Sequence, residues 1–142
     1  MARKSIADAS LIIAYLDPDE GSNHEWAKAQ FARQGRFMTC AAVIAEACAR
    51  MAYAEQKQAR VLRLVDAGAL ALDFTEAPHI SRLIRLMDKY ANRPMDFADA
   101  CLVVMSEEAR DVMIYTLDSE DFSIYRRHGR EIVPFTSPGL PS

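Results

Sequence analysis

The sequence predicts a single α/β domain built on a parallel sheet. Short apolar runs alternate with longer helical patterns, no repeat, low-complexity block or long linker divides the chain, and 142 residues suit one core that buries about two-thirds of the unfolded surface. Its 51% hydrophobic and 26% charged content is that of an ordinary soluble globular protein.

Each element has a local cause. Ser5 to Asp8 reads as a short strand, leading into a helix through Leu11 to Leu16 that stops at Asp17-Pro18, since proline disfavours helix in its predecessor. Ser22 with Glu25 has the spacing of a capping box and opens a helix carrying Trp26, Ala29 and Phe31 that ends near Gly35. Phe37 to Thr39 is the second strand. Ala41 to Ala54 is helical and almost uniformly apolar or small until Arg50, which predicts a helix buried on most sides, with Glu46 as its one acid. A helix over Gln56 to Ala67 ends at Gly68, and a strand follows at Ala69 to Phe74.

Thr75 is placed to cap a helix whose Ile80, Leu83, Ile84 and Met87 recur at helical spacing, with Arg82, Arg85 and Lys89 opposite. Asn92-Arg93-Pro94 breaks it, and Asp96 stands where the N-cap of the next, apolar helix belongs. Val112 to Thr116 is a strand ending at Leu117-Asp118, and Glu131 to Phe135 is a weaker final one. The domain is expected over residues 1–136, with Ser137 to Ser142 as a mobile tail.

The basic, then apolar N-terminal stretch is interrupted by Asp8 and Asp17 and shows no small-residue cleavage site, so neither a signal peptide nor a membrane span is expected. Cys40, Cys48 and Cys101 are odd in number and lie in apolar surroundings, which suits free thiols in a reducing cytoplasm. A net charge of −3 is low for a nucleic-acid protein, yet two divalent cations would bring it to +1. Basic residues also come in local sets: Arg33 with Arg36, Arg82 with Arg85 and Lys89, Arg126 with Arg127 and Arg130.

Asp8, Glu46, Asp99 and Asp118 each fall within or at the end of an apolar segment, where an isolated carboxylate is costly to ionise. In an open parallel sheet, ligands bind beyond the carboxyl ends of the strands where strand order reverses. Asp8 and Asp118 occupy such ends. If the first and fourth strands are neighbours across the reversal, these two acids meet, and Glu46 and Asp99 reach in from the following helices. Clustered carboxylates with no accompanying histidine or cysteine set suit Mg2+ or Mn2+ rather than zinc, and such a site suggests phosphoryl chemistry. Ser10 and Thr116 are accessory candidates, either toward water or phosphate or as local backbone partners. Asp96, with Asp99, could instead form an acidic first helical turn, where carboxylates interact well with the helix dipole.

The ordered segments Asp8-Ala9-Ser10, Val43-Ile44-Ala45-Glu46, Met95-Asp96-Phe97-Ala98-Asp99-Ala100 and Thr116-Leu117-Asp118-Ser119-Glu120-Asp121-Phe122 resemble the successive signatures of the PIN domain. The resemblance covers Ile6 to about Phe135. Its last two signatures, followed by Ile124-Tyr125-Arg126, look most like the VapC ribonuclease toxins of bacterial toxin–antitoxin pairs. It implies a three-layer α/β/α fold with a central parallel sheet of four to five strands. It further implies a cytoplasmic endoribonuclease using one or two Mg2+ (or Mn2+) ions, with Asp8, Glu46, Asp99 and Asp118 as catalytic and metal-binding residues and Asp96 as an accessory acid. RNA as substrate, a cognate antitoxin and a homodimer follow from the same resemblance.

Another enzyme class and a signalling domain fit less well. Haloacid dehalogenase-like phosphatases need a second acid two residues after the first, where this chain has Ser10, and a receiver domain needs an acidic pair after the first strand. The remaining alternative is a catalytically weak or inactive PIN-like module that binds RNA or docks a partner.

Overall fold

Parallel pairing organises the computed structural model, which describes residues 3–52, 58–93 and 95–140. Five strands form one sheet: β1 (Lys4–Ala7), β2 (Phe37–Thr39), β3 (Leu70–Leu72), β4 (Val112–Tyr115) and β7 (Phe135–Thr136), in the order β3-β2-β1-β4-β7. All four pairings between these strands are parallel. The chain steps outward from β1 to β2 and β3, then returns to place β4 on the other side of β1. The expected reversal therefore lies between β1 and β4.

Ser5, Ile6 and Ala7 are all buried although successive strand residues face opposite sides, so helices cover both faces of the sheet centre. Those helices are α1 (Ala9–Leu16), α2 (Ser22–Gln34), α3 (Ala41–Arg50), α4 (Gln58–Asp66), α5 (Ile80–Lys89), α6 (Phe97–Glu107) and α7 (Ser119–Ile124). This is the expected three-layer arrangement. An aromatic run holds one side: Tyr15 stacks on Phe31 with centroids 4.2 Å apart, Phe31 lies 4.8 Å from Phe37, and Phe37 meets Tyr115 edge-on at 5.0 Å. Cys40 and Cys101 are buried and Cys48 half-buried, all as free thiols. Among the described residues no helix is long and apolar enough to cross a membrane.

Several local expectations are corrected. Ser22 is the first residue of α2 and caps nothing; Gly21, at φ 62°, turns the chain straight out of a 3-10 turn (Pro18–Glu20), which Asp17 caps instead. Thr75 does not cap α5, because a second 3-10 turn (Ala77–His79) intervenes. On α5 the buried residues are Leu83 and Leu86, while Ile80 and Ile84 are exposed. Helix α3 is buried on one stripe, Val43, Ile44 and Ala47, because Ala41, Ala45 and Ala49 make it apolar in composition while facing outward. The remainder of its expected span, residues 53–54, lies outside the described residues, as do Gln56, Pro94 and the last two residues of the tail.

The single final strand is in fact two. β6 (Glu131–Ile132) pairs antiparallel with β5 (Arg126–Arg127), across a turn in which His128 and Gly129 both take positive φ (52° and 85°). Pro134 then leads into β7 at the sheet edge, its carbonyl accepting from Ile114 N at 3.0 Å. Ser137, where the tail was expected to begin, is buried and donates its hydroxyl to Thr116 O at 2.6 Å.

Candidate active site

Register alone brings the ends of β1 and β4 together. Ala7 pairs with Tyr115, and Asp8 N donates to Tyr115 O at 3.1 Å, so the residue after each strand stands beside its neighbour. Asp8, only 5% exposed, caps α1: its Oδ1 accepts from Ala9 N at 2.7 Å. Its Oδ2 accepts from Thr116 Oγ1 at 2.6 Å and from Ser10 Oγ at 3.2 Å. The two hydroxyls reach onward to the β4–α7 turn, Thr116 Oγ1 accepting from Asp118 N at 2.9 Å and Ser10 Oγ from Leu117 N at 2.9 Å. Ser10 and Thr116 thus bind Asp8 to the turn that carries Asp118.

Two helix starts deliver the other acids. Asp96 caps α6, accepting from Asp99 N at 2.7 Å, which fixes Asp99 in the first turn. Asp118 caps α7, with Asp121 one turn on and its N–H 3.4 Å from Asp118 Oδ1. One carboxylate oxygen each from Asp99, Asp118 and Asp121 lies within 4.8 Å of the others. Tyr125, at the end of α7, donates its hydroxyl to Asp99 Oδ2 at 2.9 Å. Arg93 Nη1 donates to Asp121 Oδ1 at 2.7 Å.

The structure therefore joins Asp99 and Asp118 closely, and adds Asp121. Asp8 and Glu46 stand outside that tightest trio but within its field. Burial is the first cause of every shift here. It pushes the Asp99 carboxyl up to about 8, helped by the charges of Asp96 and Asp8 and opposed by the Tyr125 hydrogen bond. It pushes half-buried Glu46, on the second turn of α3, up to about 7, with Asp8 and Asp96 adding and Arg50 opposing. Asp118 rises to about 6, through burial and then Asp121. Asp8 is raised by burial, against the pull of its hydrogen bonds from Thr116, Ala9 and Ser10.

With their carboxyls raised to about 8 and about 7, Asp99 and Glu46 hold protons for part or most of the time near neutrality unless a cation compensates them. The donors are all oxygen, three of them converge, and Asp99 is only 9% exposed, so the set fits a hard divalent ion.

Asp121 was visible in the sequence but not singled out; its spacing of three from Asp118 at a helix start was the available signal. No spacing links Tyr125 or Arg93 to these acids, since their partners lie 26 and 28 residues away. Several of the basic side chains grouped in the sequence are engaged internally: Arg82 with Glu107, Arg126 with the carbonyls of Ser123, Ile124 and Tyr125, and Arg127 with Ser106 O.

No curated protein matches the sequence. The family model of the PIN domain matches residues 6–127, a span that takes in all the acids named above. PIN domains are generally metal-dependent nucleases, and this chain, by that match and by its fold, belongs to the PIN domain family.

Proposed function

We propose that the protein is a Mg2+- or Mn2+-dependent endoribonuclease, with Asp8, Glu46, Asp99 and Asp118 as its catalytic and metal-binding acids. The observation that carries this reading is the convergence of Asp99, Asp118 and Asp121 at the strand-order reversal, with Asp8 and Glu46 electrostatically tied to them. One or two such cations, when bound, supply a readily ionised water and stabilise charge on the phosphate and the leaving oxygen.

The chain's own residues supply placement. Asp99 and Asp118, fixed by the α6 and α7 caps, present oxygens for the cation, and Asp121 extends the set. Asp8 is held by Thr116 and Ser10, which anchor the site floor to the sheet. Glu46, half-buried and with its carboxyl raised to about 7, can hold or release a proton near neutral pH.

The order of the sequence signatures supports a narrower role, the toxin of a toxin–antitoxin pair acting in the cytoplasm as a homodimer, with a cognate antitoxin occupying the acidic groove. The test is cleavage of a generic single-stranded RNA with Mn2+, by the wild type and by Asp8→Asn and Asp99→Asn. Cleavage by the wild type alone supports the enzyme, whereas equal cleavage by all three marks a contaminant. RNA binding without cleavage favours the inactive module. Growth arrest on induction, relieved by a small neighbouring gene, tests the toxin role.

A further inference from the structure

The acidic trio already contains a cation supplied by the chain itself. Arg93 stands in the connection between α5 and α6, its N–H bonded to Tyr90 O at 3.0 Å. Its guanidinium reaches across to α7 and donates Nη1 to Asp121 Oδ1 at 2.7 Å. Asp121 is the same carboxylate that lies within 4.8 Å of Asp99 and Asp118.

Neighbouring basic groups are directed elsewhere. Lys89 Nζ donates to Gly129 O, Arg126 holds the last carbonyls of α7, and Arg127 holds Ser106 O and Ala109 O. Among the described residues, Arg93 is the one basic side chain in ion-pair contact with the trio. Its charge is permanent, and both partners of the pair are partly exposed.

We propose that Arg93 is an intramolecular competitor of the divalent cation, holding Asp121 in the metal-free protein and weakening its hold on the ion. The inference rests on the cation site proposed above. Two positive groups then draw on one carboxylate at close range, and each lowers the other's affinity for it. Arg93 keeps the metal-free site from accumulating uncompensated negative charge. It also sets the cation concentration at which the site fills.

The experiment is Mn2+ binding, followed by the paramagnetic resonance signal of free Mn2+, at pH 8 and low ionic strength. Wild type, Arg93→Gln, Arg93→Met and Arg93→Lys are compared, with Asp99→Asn as the blank. Removing the charge with either Gln or Met is expected to tighten Mn2+ binding by about 3- to 10-fold, while Lys stays close to wild type. Added salt narrows the gap. The metal-free Gln and Met variants melt at lower temperature, because Asp121 has lost its partner.

Unchanged binding in Gln and Met overturns the competition. Weaker binding also overturns it, and assigns Arg93 instead to orienting Asp121 for the ion. Absence of Mn2+ binding by the wild type removes the cation site itself, an outcome separate from either of these.

Discussion

The Tyr125 hydroxyl donates to Asp99 Oδ2 at 2.9 Å and so ties the end of α7 to the first turn of α6. Both residues are buried, and the bond works against the burial that raises the Asp99 carboxyl. It favours the ionised form that a cation needs. Tyr125→Phe keeps the ring and removes the donor. It is expected to weaken Mn2+ binding or lower RNA cleavage by about 10-fold, the scale seen when a hydrogen-bond partner of a metal ligand is lost. The pH at which activity appears should also rise. A variant with wild-type rate and pH profile would show that the hydroxyl only fills space.

Asp99→Asn removes a buried carboxyl whose ionised form is disfavoured by burial and by Asp96, Asp8 and Glu46. Cleavage should fall by about 100-fold or more, as when one anchor of a charge-stabilising site is lost. At pH 8.5 in the presence of EDTA, where Asp99 is largely ionised, melting should occur at the same or higher temperature than in the wild type, since like-charge repulsion is relieved. A marked loss of metal-free stability would give Asp99 a structural role.

Asp8, Thr116 and the Asp118 backbone share one hydroxyl, which is wholly buried. Thr116→Val keeps the shape but leaves the Asp118 N–H and Asp8 Oδ2 each short of a partner. Unfolding free energy should drop by about 1–3 kcal/mol in denaturant titrations, with cleavage reduced alongside. Thr116→Ser should restore both; failure to do so would point to the methyl group rather than the hydroxyl.

The pH dependence has a definite sign. Glu46, Asp99 and Asp118 titrate higher in the fold, at about 7, 8 and 6, than carboxyls in an unfolded chain. The metal-free fold therefore binds more protons than the unfolded chain across this range. Its stability should be greatest below the unfolded pKa values and decline as pH rises from about 4 through 8. Metal affinity should change in the opposite direction, because binding displaces those protons. Melting curves from pH 5 to 8.5, with EDTA and with Mn2+, test both. Metal-free stability that rises with pH over this interval would contradict the assignment.

The sheet and the acids at its reversal were readable because the residues that build them are local and unambiguous. Apolar Ile6-Ala7 and Ile114-Tyr115 mark the central strands, and an acid follows each closely enough to land at its carboxyl end. The Asp96 cap was readable for the same reason. The hairpin of β5 and β6 was not, since two-residue strands carry no alternation. Helix α5 offered two apolar stripes, and packing buried Leu83 with Leu86 while leaving Ile80 and Ile84 in water. Alanine misled at α3, because it is apolar by count yet costs little to expose. At the site, the unread partnerships are those closed by tertiary packing alone: Tyr125 with Asp99, and Arg93 with Asp121.

The most direct test is the anomalous diffraction of Mn2+ in crystals equilibrated with the ion near pH 8. A peak is expected within bonding distance of carboxylate oxygens from Asp99 and Asp118, lost in crystals of Asp99→Asn. Ordered Mn2+ bound elsewhere, with these acids left unliganded at saturating ion, would contradict it.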